Sequence, residues 1–144
     1  MAGIKSIYLI GSLRNPEVPS FANELERQGF EVFDSWFSPG PEADDFWRKY
    51  EQERGRTYAE ALQGYAARHI FEFDKFHLDR CDAVVMLMPA GKSGHLELGY
   101  GLGRGKPGFM LFNEVPERWD VMLQFCTGVF FEKQKLFDAL REVK

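Results

Sequence analysis

Ala83-Val-Val-Met-Leu-Met-Pro-Ala-Gly-Lys-Ser-Gly-His-Leu-Glu-Leu-Gly-Tyr-Gly-Leu-Gly-Arg-Gly-Lys-Pro107 is the stretch on which the reading of the fold turns. It opens with the apolar run Ala83–Met88, the kind of run a strand buried on both faces requires. Gly91, Ser93 and Gly94 then turn the chain into a helix expected to run to about Arg104. Gly99, Gly101 and Gly103 fall inside that helix, each costing about 1 kcal/mol against alanine. A penalty taken at each of them predicts that something comes close to this backbone: the sheet, a ligand or another subunit. Glu97 is the only carboxylate of the helix and sits in its first turns. In an open α/β sheet, ligands bind where a strand's carboxyl end turns into a helix, so Glu97 is a candidate for chemistry and Gly91 and Ser93 for substrate contact. The competing reading of Glu97 is a capping or solvated carboxylate. Ser93 has the wrong spacing from it for a capping box, whereas Gly94 as the cap restores the spacing.

Outward from this stretch, apolar runs bounded by turn residues predict strands near Ser6–Ile10, Glu31–Phe33, Gly108–Phe112 and Val129–Phe131, with helical patterns between them. Ser20–Gln28 reads as a helix stopped at Gly29, and Lys133–Val143 as another. Across Thr57–Leu78 the residues Leu62, Tyr65, His69, Phe73 and Phe76 recur at helical steps, which predicts one long amphipathic helix. Alternation of this kind means parallel strands with crossover helices. The expected fold is α/β: a flavodoxin-like three-layer sandwich with a five-stranded parallel sheet in the order 2-1-3-4-5. At 144 residues and 44% hydrophobic content the expectation is a single domain over 1–144.

A net charge of −4 argues against duplex nucleic acid or an anionic membrane surface as the main partner, and leaves a small anionic ligand in a local pocket open. Cys81 and Cys126 lack the spacing of a metal site and read as reduced thiols of a cytoplasmic protein. The apolar run at the amino terminus is too short for a signal peptide, and no run approaches transmembrane length. His69, His77 and His95 show no ligand spacing, so neither a metal nor another cofactor is expected. Aromatic residues make up 15% of the chain, more than a minimal core requires, which points to a pocket or subunit interface lined by some of them.

Several features fall at the sheet edge where Glu97 is expected. Gly11-Ser-Leu-Arg-Asn15 follows the first strand, and its amides, the Ser12 hydroxyl and the Arg14 guanidinium suit a phosphate. Tyr8 lies near the end of that strand, either approaching a carboxylate or serving as an ordinary sheet tyrosine. Asp74 stands about 13 Å up a helix packed against a strand about 17 Å long, which brings it toward the same edge; otherwise it is a surface acid beside Lys75. After the second strand comes the segment Asp34–Trp47, in which Trp36, Phe37 and Trp47 either form a stacking lid over a base or plug the core or a dimer contact. The charged run Arg48–Arg56 reads as a solvated helix face.

Together Ile7-Tyr-Leu-Ile-Gly-Ser-Leu-Arg14, the pair Asp74 and Asp82 before the third strand, and Ser93-Gly-His-Leu-Glu-Leu-Gly-Tyr100 ending in Gly105-Lys-Pro107 make the chain resemble the nucleoside 2-deoxyribosyltransferases and the related deoxynucleoside 5′-monophosphate N-glycosidases. The resemblance covers about Ile7–Pro107. It implies that Glu97 is the nucleophile on the anomeric carbon, that Tyr8 orients it and that Asp74 assists departure of the base. The Gly11–Arg14 loop looks more like that of the monophosphate hydrolases, where it contacts the 5′-phosphate. Gly91 stands where the transferases often carry an acid, and Asp120 where a neighbouring subunit often supplies an asparagine.

The implied function is cleavage of the N-glycosidic bond of a (deoxy)nucleoside or its 5′-monophosphate through a covalent glycosyl-Glu97 intermediate, completed by water or by a second base. Two other readings keep the fold: a glycohydrolase of NAD or a related dinucleotide, and a non-catalytic nucleotide sensor in which Glu97 grips ribose hydroxyls. The slim glycine-bearing helix and the aromatic surplus lead to an expected homodimer or higher homo-oligomer, and the resemblance implies an active site shared across subunits.

Overall fold

The computed structural model describes residues 3–144; Met1 and Ala2, with which the reading of the amino terminus begins, lie outside the described residues. Five strands, β1 (Ser6–Ile10), β2 (Glu31–Phe33), β3 (Ala83–Leu87), β4 (Gly108–Leu111) and β5 (Gly128–Phe130), form one sheet in the order β2-β1-β3-β4-β5. Every neighbouring pair is parallel, with Tyr8 beside both Phe33 and Val84 and with Met86 beside Met110. This is the α/β, flavodoxin-like arrangement expected. β1 and β3 are buried at every position, as uninterrupted apolar strands covered on both faces must be.

Side-chain alternation along the strands divides the core in two. Ile7, Leu9, Val85, Leu87, Phe109 and Leu111 point to one face, where α1 (Val18–Arg27) contributes Phe21 and Leu25 and α6 (Lys133–Glu142) contributes Leu136 and Leu140. Tyr8, Ile10, Val84, Met86 and Met110 point to the other, where Leu78 of α4 (Tyr65–Arg80) and Leu98 of α5 (Lys92–Gly103) cover them. Gly29 follows α1 with φ of 102°, the left-handed stop its sequence position announced.

The expected long helix over Thr57–Leu78 is instead two helices, α3 (Tyr58–Leu62) and α4. Thr57 and Glu60 close a capping box on α3, and Gly64 caps α4 in an extended conformation that resets the helix axis. Apolar steps of three and four continue across the break, so periodicity does not detect it. The stripe also faces outward: Leu62, Tyr65, Phe73 and Phe76 are exposed, and of α4 only Leu78 is buried.

Arg48–Arg56 is largely exposed, as a solvated face should be, with one correction. Glu51, on α2 (Ala43–Glu53), is only 3% exposed and accepts from the Trp47 indole N–H at 3.1 Å and from Arg56 at 2.6 Å. Trp47 is thereby tied to a clasp between α2 and the start of α3, and its ring meets Tyr58 edge-on. Trp36 and Phe37 form a short 3-10 turn after β2 and pack against the α1 side of the core, Trp36 also reaching the opposite cluster.

Gly101 explains one of the three helix glycines. A Cβ there would lie 2.5 Å from Val84 Cγ2, so its absence lets α5 press onto β3. Gly99 and Gly103 face open space, and the close approach expected at all three is found only at Gly101. Among the described residues no helix is long and apolar enough to cross a membrane.

Candidate active site

α5 is seated at its amino-terminal end by Gly94, which is buried and whose ideal Cβ would lie 2.8 Å from Ile10 Cγ2 and 3.3 Å from Met86 Sδ. A side chain at that position would lift the helix off the carboxyl ends of β1 and β3. Gly91, rather than Ser93 or Gly94, is the helix cap, and no side chain caps α5. Glu97 therefore belongs to no capping box. It turns inward instead, and the Tyr8 hydroxyl donates to its Oε2 at 2.6 Å across 89 residues of sequence.

Tyr8 is fully buried, its ring held 5.2 Å from Phe33, which in turn stacks on His77 at 4.0 Å. Burial, followed by the neighbouring Glu97 charge and its hydrogen bond, holds the Tyr8 phenol far above an ordinary tyrosine, so it stays protonated and keeps a proton to donate to the Glu97 carboxylate. Burial also pushes Glu97 up to about 7, with the Tyr8 hydrogen bond opposing the rise and the Asp74 charge adding to it. Asp74, half-buried on α4, is raised to about 6 by burial. The Asp74 charge contributes to the raised values of both Tyr8 and Glu97, whereas Asp74 itself is raised by burial alone. Tyr8 of β1 and Glu97 of α5 thus meet, Asp74 of α4 acts on them through its charge, and burial raises both carboxyls toward neutrality. Such a pair can carry a single proton between nucleophilic and acidic roles.

The loop after β1 is tighter than its composition implied. Ser12 Oγ accepts from the Arg14 amide at 3.1 Å, and the Ser12 carbonyl accepts from the Asn15 amide, so neither N–H is free for a ligand. The loop still offers the Ser12 hydroxyl proton and the Arg14 guanidinium among its donors, and the Arg14 side chain is 74% exposed and stands 3.6 Å from Asp45 of α2. Gly11 lies at the base of this loop, its ideal Cβ 3.6 Å from the Trp36 ring. The Trp36 indole N–H donates to the Leu9 carbonyl at 2.7 Å, just past the last β1–β2 register pair, Tyr8 and Phe33. Trp36 takes the place of a strand partner there and stands as a fixed wall over Gly11.

Ser93 is exposed in the first turn of α5. Gly91 lies beside an open depression of about 650 Å³ that it lines with Ala90, Lys92, His95 and Leu96. Glu97 does not line that depression, so it is separate from the Tyr8–Glu97 pair. His77 and Phe33 are supporting residues the sequence reading did not single out. Their only local signal is the spacing of Phe73 and His77 one helical turn apart, which any packed helix shows. Among the described residues no cluster of His, Cys, Asp or Glu is placed to hold a metal ion.

This fold is found in enzymes that have been solved. A 2-deoxyribosyltransferase from the psychrotolerant bacterium Bacillus psychrosaccharolyticus superposes with a TM-score of 0.57 at 17% identity, over 96% of this chain and 92% of that one. A CMP N-glycosidase from Clostridium botulinum gives a TM-score of 0.57 at 13% identity, over 95% of this chain and 99% of that one. The likeness is one of fold. No family model matches the chain, and no curated protein matches it in sequence. The fold implied by the resemblance read from the motifs is the fold these two structures share with it.

Proposed function

We propose that this protein cleaves the N-glycosidic bond of a nucleoside or nucleoside 5′-monophosphate, with Glu97 as nucleophile. The observation that carries the reading is the 2.6 Å hydrogen bond from a buried tyrosine to a carboxylate at the carboxyl edge of a parallel sheet, with a second carboxyl acting on it through its charge. The two structural neighbours, a deoxyribosyltransferase and a CMP N-glycosidase, support the same class of bond.

Breaking the bond develops positive charge at C1′. Burial raises Glu97 further than Asp74, so a single proton on the two rests mostly on Glu97, and the reacting form is the minority one in which Asp74 holds it. From that form an ionised Glu97 oxygen attacks C1′ as the C–N pair leaves with the base, and the protonated Asp74 delivers its proton to the departing nitrogen. Asp74, now a carboxylate, then takes a proton from water, or from a second base, as that nucleophile attacks C1′ and frees Glu97. Water completes hydrolysis and a second base completes transfer. Tyr8 holds one Glu97 oxygen throughout, leaving the other to attack. Gly11, Ser12 and Trp36 flank the sugar and its 5′ side, Ser93 in the first turn of α5 is the next substrate contact, Gly91 caps that helix without lining the Glu97 site, and Arg14 meets a 5′-phosphate when one is present. No cofactor takes part in these steps.

The assembly is proposed as a homodimer. Tyr65, Ile70, Phe73 and Phe76 leave an apolar face exposed on α4, the helix that carries Asp74. Trp119, Val121, Met122 and Phe125 form a second exposed apolar group around Asp120, on the loop leaving the carboxyl end of β4. Pairing through α4 buries its face and brings such a loop toward the neighbour's site.

The test is chromatography of a panel of nucleosides, their 5′-monophosphates and NAD after incubation with the protein. Free base from a nucleoside or monophosphate supports the reading, whereas release of nicotinamide alone turns it toward a dinucleotide glycohydrolase. Binding without release makes the protein a sensor. A 2-fluoro-2-deoxy arabinosyl analogue is expected to add a sugar mass to the peptide containing Glu97.

A further inference from the structure

Arg14 is not the only guanidinium beside Asp45. Asp45, in the first turn of α2, has Arg14 Nη2 3.6 Å from one carboxylate oxygen and Arg48 Nη2 3.9 Å from the other. One carboxylate is straddled by two cations, and the cluster of three keeps a net positive charge. Both contacts are longer than a hydrogen bond, and all three side chains are at least half exposed, at 74%, 52% and 70%. Exposed pairs of this kind contribute little and exchange readily. A tetrahedral phosphate monoester also presents a pair of oxygens to a guanidinium fork, but it carries close to two charges and more acceptor oxygens, so it outcompetes a carboxylate for the same two cations.

We propose that Asp45 is an internal stand-in for a substrate's 5′-phosphate, that Arg48 is a second phosphate-binding residue beside Arg14, and that the three together set the preference for a monophosphate over the free nucleoside. The inference rests on the reading that Arg14 faces the 5′ side of a nucleotide. It gives a role to the α2 segment, which lies outside the sheet and its covering helices. A phosphate arriving at Arg14 displaces Asp45 and draws Arg48 with it, while Asp45 swings into water. A free nucleoside displaces nothing and gains nothing from either arginine. The carboxylate thereby weakens phosphate binding in the wild-type chain and keeps the paired arginines from holding other anions in an empty site.

The experiment is calorimetric titration of the full chain with deoxycytidine and deoxyadenosine, each against its 5′-monophosphate, at one fixed salt concentration. The readout is the ratio of nucleoside Kd to monophosphate Kd. Asp45→Asn is expected to raise that ratio about fivefold by removing the competing charge, and Arg48→Ala to lower it about fivefold or more. In an Arg14→Ala background Asp45→Asn is expected to lose most of its effect, because the carboxylate then has one cation fewer to guard. If Asp45 serves only the α2 helix, Asp45→Asn and Arg48→Ala shift both ligands together and leave the ratio unmoved, which overturns the proposal. If Arg14→Ala also leaves the ratio unmoved, or no monophosphate binds more tightly than its nucleoside, the phosphate reading of the loop has failed and this inference with it. A lowered ratio in Arg14→Ala beside an unchanged one in Asp45→Asn and Arg48→Ala would reject the inference alone.

Discussion

Glu97 and Tyr8 form a carboxylate–phenol pair whose protonation is set by burial. Glu97→Gln is expected to abolish base release, by about 10³-fold or more, while the chain stays folded. The same substitution has a stability signature with a definite sign. Glu97 rises from its ordinary 4.5 to about 7 in the folded chain, so its contribution to stability is complete below pH 4.5 and is lost as pH climbs through 7. Glutamine does not ionise. Relative to wild type, Glu97→Gln is expected to gain on the order of 3 kcal/mol between pH 4 and pH 8 in denaturant unfolding. A difference independent of pH would mean that the carboxyl ionises in the folded chain at its ordinary pH. The partners of Glu97 move it in opposite directions. Tyr8→Phe removes a hydrogen bond that favours the carboxylate, so the rising limb of base release is expected to shift to higher pH. Asp74→Asn removes a charge that disfavours the carboxylate, and the limb is expected to shift to lower pH at a reduced rate. Shifts of the same sign in both variants would show that the limb does not report Glu97.

α5 shows how the same residue type can do different work along a single element. Gly101 faces Val84, a stiff β-branched side chain fixed in a strand buried at every position, whereas Gly99 meets nothing within 4 Å of an added Cβ. Gly101→Ala is expected to destabilise by about 1–3 kcal/mol through overpacking, and Gly99→Ala to stabilise by up to about 1 kcal/mol through helix propensity. Urea midpoints of the two variants check this directly, and equal changes would mean that α5 does not bear on β3 at Gly101. Because Glu97 lies on the same helix, Gly101→Ala should also lower base release more than its loss of stability accounts for at a temperature where it is fully folded.

Assembly follows from the apolar face of α4. Tyr65, Ile70 and Phe76 are each more than half exposed on one side of the helix, an unfavourable arrangement for a monomer in water. Light scattering at micromolar concentration is expected to show a dimer, and Phe76→Glu or Ile70→Glu to yield a folded monomer. Since Asp74 is carried by this helix, the monomer is expected to lose about tenfold or more in base release, as misplacement of an acid by a fraction of an ångström does. A wild-type monomer with full activity would remove the shared-site reading. Full activity in a dissociated variant would leave the dimer standing and confine its role to covering the apolar face.

The sheet order, the alternation of strands and helices and the place of Glu97 after β3 were legible in the sequence, because hydrophobic runs and turn residues are local properties and parallel βα units admit few arrangements. Strand and helix ends came out within a residue or two, apart from the break at Gly64. That break escaped because the apolar spacing runs through it, and the direction of the stripe escaped because periodicity says that a face exists without saying what covers it. Asp74 read as well as a surface acid, and Arg48–Arg56 hid a buried Glu51, because both depend on which segment folds over which. Tertiary structure alone decided the contact between Tyr8 and Glu97, the seating of α5 through Gly94 and Gly101, and the rise of both carboxyls toward neutrality. Each of these comes from bringing distant segments together and excluding water between them, and a carboxyl's ionisation depends on that exclusion rather than on its neighbours in sequence.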